Sequence, residues 1–282
     1  MTLLSADAPA ARLRFGPGAE GIERMEATFR GGGFEPHRHD RYAIGVTLHG
    51  VQSFQYRGSQ HWGLPGEGHI LHPDELHDGV PGTEAGLRYR IVYVDPALIL
   101  RALGGGPLPF VADPVVSRRA ITPALVSSLR DLDEPLTELA AVELVTALAD
   151  SLRRDSSDRP GRRGPLAIEA LSRVRELITD DPAVQHSLVE FEALSGLTRW
   201  EVARQFRAAY GTSPTQFRIM RQLDRARALL QRGETLATVA AEAGFADQSH
   251  LARLFKRTYG ITAAAWKDAV AQPFKTSGAA AS

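Results

Sequence analysis

The chain has 282 residues, enough for about two domains of ordinary size. Its composition, 43% apolar and 23% charged, suits a globular protein, and no apolar run approaches the roughly 20 residues a membrane-spanning helix needs. Cysteine is absent, which excludes disulfides, thiolate catalysis, Cys-type zinc sites and a cysteine methyl acceptor; the zero net charge hides 18 arginines against 21 acids in residues 1–164 but 13 basic residues against 6 acids in residues 196–282.

The N-terminus, MTLLSADAPAARLRFGPG, lacks the basic start and apolar stretch of a secretory leader, so a cytoplasmic location is expected. From Tyr42 the pattern is β. The stretch YAIGVTLHGVQSFQYRGSQHWGL breaks at His49-Gly50 and Arg57-Gly58, both hairpin-type signals, and GEGHILHPDE and LRYRIVYV continue it. Short strands separated by Gly and Pro predict a barrel or sandwich over residues 1–118. His37 and His39 are two apart on a strand and point to one side. His77 follows a loop that contains Pro73. Arg88 and Arg90 share one side of their strand and Tyr89 and Tyr93 the other; the pattern leaves open which set faces a pocket, and an arginine inside would favour a carboxylate-bearing ligand.

At Thr122 the texture changes. Two helices are predicted, each opened by a proline, Pro123 and Pro135. Leu136, Leu139, Ala140, Leu144, Ala147, Leu148 and Leu152 keep a helical stripe, so residues 119–154 are expected to form a dimer seam, the alternative being that the stripe only packs on the chain's own barrel. Residues 155–165, DSSDRPGRRGP, have linker composition, which predicts that the two halves fold separately. Residues 271–282 read as a flexible tail.

After the linker the chain reads as helix and turn, and it repeats. Ala203-Arg204-x-Phe206-x-x-x-Tyr210-Gly211 matches Ala252-Arg253-x-Phe255-x-x-x-Tyr259-Gly260 at an offset of 49, and LVEFEALSGL matches LATVAAEAGF at an offset of 48. Each unit is a short helix, a turn through Gly196 or Gly244, and a second helix, the layout whose second helix enters a DNA major groove. Val202, Phe206 and Tyr210 should face inward, as should Leu251, Phe255 and Tyr259. Trp200, Arg204 and Arg207 fall on an outward face, and Ser249, Arg253 and Lys256 match them. Arginine there grips guanine edges or phosphate, Gln248 suits adenine, and His250 suits phosphate. Arg199 is a further basic candidate. The helix between the units, TQFRIMRQLDRARALLQRG, is expected to turn Phe217, Met220, Leu223, Ala226 or Arg227, and Leu230 inward and to leave Arg218, Arg221, Arg225 and Arg232 outside. A basic C-terminal part on a neutral chain implies a polyanion partner for that part.

Residues 166–270 resemble the DNA-binding domain of AraC/XylS-type transcription regulators, through RARALL and AEAGFADQSHLARLFKRTYG. One departure is Ala263, where the family usually has proline. The resemblance implies base-reading roles for Trp200, Arg204, Gln248, Ser249 and Arg253. The stretch HRHDRYAIGVTLHG…PGEGHILHPDELHDG resembles the cupin effector domain found ahead of such DNA-binding domains. That implies a site at His37, His39 and His77, with Tyr42 and Arg90 as further effector candidates. Three imidazoles suit zinc, iron or manganese, although no cofactor is required and the glutamate usual in cupins is replaced by the run Tyr42, Ala43, Ile44. His69, His72 and Glu75 are nearby substitutes in sequence.

The expected fold is therefore α+β: a cupin-like barrel, helices, then an all-α domain with two helix-turn-helix units joined by a long helix. The expected function is a DNA-binding transcription regulator that responds to a small molecule. It is expected to be a homodimer, off the membrane and not an enzyme. The alternative is a metal-dependent cupin oxygenase or isomerase fused to a DNA-binding domain.

Overall fold

A computed structural model of the chain describes residues 11–157 and 165–271. Most of the expected linker and nearly all of the expected tail lie outside the described residues.

Among the described residues, ten strands build the N-terminal part: β1 (Ala11–Ala19), β2 (Ile22–Phe29), β3 (Phe34–His37), β4 (Tyr42–Gly50), β5 (Gln52–Tyr56), β6 (Ser59–Gly63), β7 (Gly68–Leu71), β8 (His77–Pro81), β9 (Leu87–Val94) and β10 (Val115–Val116). They form a six-stranded sheet in the order β1-β2-β9-β4-β7-β10 and a four-stranded sheet in the order β3-β8-β5-β6, antiparallel in every recorded pair. The β5–β6 hairpin turns through Arg57 and Gly58, with φ of 50° and 83°. That is the backbone a two-residue hairpin turn demands. Alternation along β9 divides the large sheet's faces. Leu87, Tyr89 and Ile91 join Phe54 and Tyr56 of the small sheet in a core between the sheets. Val92 and Val94 point the other way.

That outer face is covered by three helices, α1 (Pro96–Ala102), α2 (Pro123–Arg130) and α3 (Glu138–Arg154). Pro123 sits at the start of α2, whose Thr122 side chain caps Leu125 N. Pro135 opens no helix: α3 begins at Glu138 behind a Thr137 cap. The expected dimer stripe divides. Leu144, Leu148 and Leu152 are buried with Ile44, Val92 and Leu129, so they belong to the protein's own core. Leu139 and Val142 are 68% and 58% exposed.

The C-terminal part has seven helices among the described residues: α4 (Ile168–Asp180), α5 (Leu188–Ser195), α6 (Arg199–Tyr210), α7 (Pro214–Gln231), α8 (Leu236–Glu242), α9 (Gln248–Tyr259) and α10 (Ala263–Ala271). Capping boxes at Ser187/Glu190 and Thr198/Glu201 start α5 and α6, and left-handed Gly211 and Gly260 end α6 and α9. Ala263 does not prevent α10 from forming, because the Thr262 hydroxyl accepts from Ala265 N.

The two halves pack on each other across a continuous seam. One apolar cluster runs from Met25, Phe34 and Ile91 of the β-domain into Met220, Phe255 and Trp266. A second joins Ala97 and Leu100 of α1 to Phe206 and Phe217. Ion pairs cross the same seam, Arg221–Asp40 at 2.6 Å, Arg227–Glu23 at 2.9 Å, and Arg175–Asp95. Continuous burial of this kind, with charges paired across it, makes the docked arrangement a folded interface.

Candidate DNA interface and effector site

The faces of α6 and α9 follow their sequence periods. Val202, Phe206 and Tyr210 are buried, as are Leu251 and Phe255. Arg199, Trp200, Arg204 and Arg207 on α6, and Gln248, Ser249, Arg253 and Lys256 on α9, are exposed. Trp200 is 79% exposed, which excludes a core role for it. His250 is half-buried with its ring against Phe245 at 5.7 Å. Several cations have protein partners. Arg199 pairs with Glu192 at 3.2 Å, Arg207 with Asp74 at 3.2 Å, and Lys256 with Glu35 at 2.9 Å. Arg253 has no ion pair among the described residues. On α7, Arg221 does not sit outside: it turns into the seam, paired with Asp40 and Asp224. Arg218 donates to the Pro182 carbonyl at 3.3 Å.

In the β-domain, β3, its following loop and β8 bring His37, His39 and His77 together. The register pairs His37 with His77 directly across the two strands. All three are buried, and each offers one ring nitrogen within 4.8 Å of the others. Each Nδ1 bonds a backbone carbonyl: His37 to Glu35 at 2.7 Å, His39 to Arg41 at 2.8 Å, and His77 to Glu75 at 2.9 Å. A carbonyl oxygen only accepts, so Nδ1 carries the proton and Nε2 keeps its lone pair in the neutral ring. Neutrality is enforced by burial. It pulls His37 down to about 4 and, with the neighbouring His37, His39 down to about 3. Burial and the other two rings hold His77 well below its ordinary value. The result is three proton-free nitrogens at one place.

His37 and His39 line a cavity of about 50 Å³ whose opposite wall is the C-terminal part. From the β-domain come Leu13, Phe15, Met25, Phe34, Tyr93, Glu23, Asp40 and Arg41, and from the helices Met220, Asp224, Arg227, Tyr259 and Trp266. Arg227 lies over the Phe15, Tyr259 and Trp266 rings at 5.1–5.4 Å. Arg41 pairs with Asp224 at 3.4 Å.

Two candidates lie elsewhere. Arg90 faces away from the cavity: it pairs with the buried Glu26 at 2.6 Å and donates to the Leu129 and Arg130 carbonyls, tying β9 to the end of α2. Its strand partner Tyr93 faces the cavity, with its ring 5.4 Å from His39. Tyr42 is fully buried in the outer core, its hydroxyl on the Pro109 carbonyl at 3.3 Å. His69 and His72 stay outside the triad. His72 Nε2 accepts from Val111 N, and His69 packs beside Tyr89 with neither ring nitrogen partnered. Glu23, Asp40, Arg41, Asp224 and Arg227 were not recognisable as site residues, because each depends on a contact more than 180 residues away in sequence.

Comparison with known proteins follows the same division. The family described as the AraC-like ligand binding domain matches residues 21–149, and a helix-turn-helix domain family matches residues 193–269. A protein of Bacillus subtilis described as the uncharacterized HTH-type transcriptional regulator YbfI is 26% identical over 223 residues, 77% of this chain and 81% of its own. The HTH-type transcriptional regulator RipA of Corynebacterium glutamicum is 34% identical over 89 residues, 32% of this chain and 27% of its own. Among solved structures, ToxT of Vibrio cholerae with an unsaturated fatty acid bound superposes with a TM-score of 0.62 at 10% identity, over 93% of this chain and 95% of that one.

Proposed function

The chain belongs to the AraC-type transcription regulators, with a ligand-binding domain ahead of a helix-turn-helix domain, and from that premise we propose that its effector binds in the seam cavity beside His37, His39 and Tyr93. One observation carries this reading: the cavity has one wall in each half of the protein. A molecule held there touches both halves, so its affinity depends on how they are docked. That dependence is what any effector needs to bias an equilibrium between arrangements.

In this arrangement the cavity of about 50 Å³ has room for a water or two, each with a share of roughly 30 Å³. An organic effector enters only when the seam parts. ToxT holds a fatty acid, and the lining here suits the same chemistry. Leu13, Phe15, Met25, Phe34 and Trp266 would take an apolar body, and Arg41 and Arg227 a carboxylate that displaces Asp224 or Glu23. The test is the affinity of the full chain for its selected DNA site across carboxylic acids of graded length. An acid that binds without altering DNA affinity sinks the seam reading.

A second reading is favoured by the three Nδ1–carbonyl bonds, which are the outer contacts that ligating histidines make. The residues fit a zinc, iron or manganese ion. Zinc bonds of about 2.1 Å put tetrahedral ligands roughly 3.4 Å apart, inside the 4.8 Å within which all three nitrogens lie. When bound, such an ion would supply Lewis acidity at the cavity's end. Protein purified without chelator is expected to carry close to one equivalent on this reading. Less than about 0.1 equivalent leaves the organic effector alone.

For DNA, α6 and α9 are the reading helices. The 18 residues of α7 span about 27 Å, against roughly 34 Å per turn of duplex. Arg253→Ala should cost about 1–3 kcal/mol on the selected site and relax preference at one or two base pairs. Equal losses on selected and random duplex, measured by fluorescence anisotropy, would remove Arg253 from base reading. Among the described residues no helix is long and apolar enough to cross a membrane. We read the protein as a non-enzymatic cytoplasmic homodimer, joined through the exposed Leu139 and Val142 of α3.

A further inference from the structure

Both recognition helices end on the β-domain, and both surrender a cation to it at the same repeat position. Arg207 and Lys256 are equivalent under the offset of 49, and so are the glycine caps Gly211 and Gly260. At the end of α9, the Gly260 carbonyl accepts from Glu35 N at 3.0 Å and the Arg257 carbonyl from Arg38 N at 3.3 Å, while Lys256 Nζ meets Glu35 Oε1 at 2.9 Å. At the end of α6, Gly211 lies so close to Pro73 that an added Cβ would sit 2.6 Å from the proline Cβ, and Arg207 meets Asp74 Oδ2 at 3.2 Å.

The two acids stand on the segments that hold the histidines. The Glu35 carbonyl takes the His37 Nδ1 proton. Asp74 N donates to the His39 carbonyl at 2.7 Å, and the next residue, Glu75, takes the His77 Nδ1 proton. A ring displaced by an occupant of the cavity therefore moves the backbone that carries Glu35 or Asp74.

We propose that Glu35 and Asp74 are latches that stand in for DNA phosphates: they hold Lys256 and Arg207 while the cavity is closed and release them when an occupant shifts the histidine segments. This rests on reading α6 and α9 as the recognition helices and the seam cavity as the effector site. An exposed ion pair taken alone is weak and common. Here the same position of two repeats is taken, each time by an acid wired to the same triad, with the helix end packed on the β-domain beside it. An acid placed against a phosphate-binding cation also repels the DNA backbone itself.

The experiment uses the full chain without added effector. Glu35→Gln and Asp74→Asn are combined; both preserve shape, and asparagine tolerates the left-handed backbone at residue 74, where φ is 63°. Affinity for selected duplex should rise by roughly threefold to tenfold, the range that two exposed ion pairs can bias. The slope of log affinity against log salt should steepen by up to about 0.9 for each cation freed. Glu75→Gln is the control: it removes the same charge from the same loop, but its partner is Arg57 of the β-domain, at 3.3 Å. The control should bind as the parent does. An unchanged double variant, or an equal gain in the control, overturns the latches. If the double variant gains while no acid or metal alters the parent's DNA affinity, the latches stand and the effector reading falls. If neither parent nor variant binds duplex, the latches fall with the DNA reading.

Discussion

Leu144→Glu is expected to unfold the β-domain. Leu144 has no exposed surface and packs in the cluster between α3 and the outer face of the large sheet. Losing the leucine alone would cost about 2–5 kcal/mol, and the carboxylate must then be buried or protonated at further cost. The sum approaches the roughly 5–15 kcal/mol that holds a whole domain. Thermal unfolding by circular dichroism should show the strand signal lost at room temperature or melting far below the parent. Leu139→Glu, one and a half turns away and 68% exposed, should change stability by no more than about 0.5 kcal/mol. It should act instead on self-association, read by sedimentation. A Leu144→Glu protein with the parent's melting curve would show that α3 does not pack as described.

The second large effect is acid unfolding. Burial lowers His37, His69 and His72 to about 4 and His39 to about 3, and it holds His77 well below its ordinary value. The unfolded chain takes up protons near pH 6.5, while the folded chain does not until these lower values. Between them the unfolded state binds more protons, so stability falls as pH falls. Each histidine contributes a loss of about 1.4 kcal/mol per pH unit in that window. Five acting together remove a stability of ordinary size within about two units below pH 6.5. The β-domain should therefore unfold cooperatively between about pH 6 and 4, as followed by tryptophan fluorescence and far-ultraviolet dichroism. His69→Phe removes one titrating ring that has no hydrogen-bond partner, and it should move the midpoint to lower pH. A β-domain still folded at pH 4 would mean that these rings are not buried neutral. An ion on the triad nitrogens would compete with protons and move the midpoint down as well.

The helical half was legible for a physical reason. A 3.6-residue period, glycine caps and a repeat are all local, and α5 to α9 follow them closely. The histidine pair was legible only in part: His37 ends β3, but His39 lies in the loop after it rather than two apart on one strand, so the chain's path after the strand, and not alternation, sets the pair. β1 and β2 went unread: Gly16, Pro17 and Gly18 interrupt any alternation in β1, and six of the eight residues of β2, all but Glu23 and Thr28, are buried, so burial on both faces leaves no alternation to see. The short α1 was also unread, although Asp95 caps it ahead of Pro96. The seam was beyond reach. A helix face rich in arginine has the same pattern whether it meets water, phosphate or a paired acid from another domain, so Arg221 of α7 looked like a solvent-facing residue. The α3 stripe failed similarly, since leucines at helical spacing do not say whether the surface they cover is a sheet of the same chain or a second copy.

On the proposed reading of the effector site, the seam cavity also sets a clock. An effector that fits only between parted halves arrives no faster than they part. At low concentration the observed rate should rise with effector concentration, then level off at the opening rate, which for domain motions falls in the microsecond-to-millisecond range or slower. The lifetime of the bound state is likewise governed by reopening, so an effector trapped behind Trp266 and Arg227 would outlast a brief fall in its supply. The regulator would then answer to an average of recent exposure, with the averaging time written into the ion pairs of the seam.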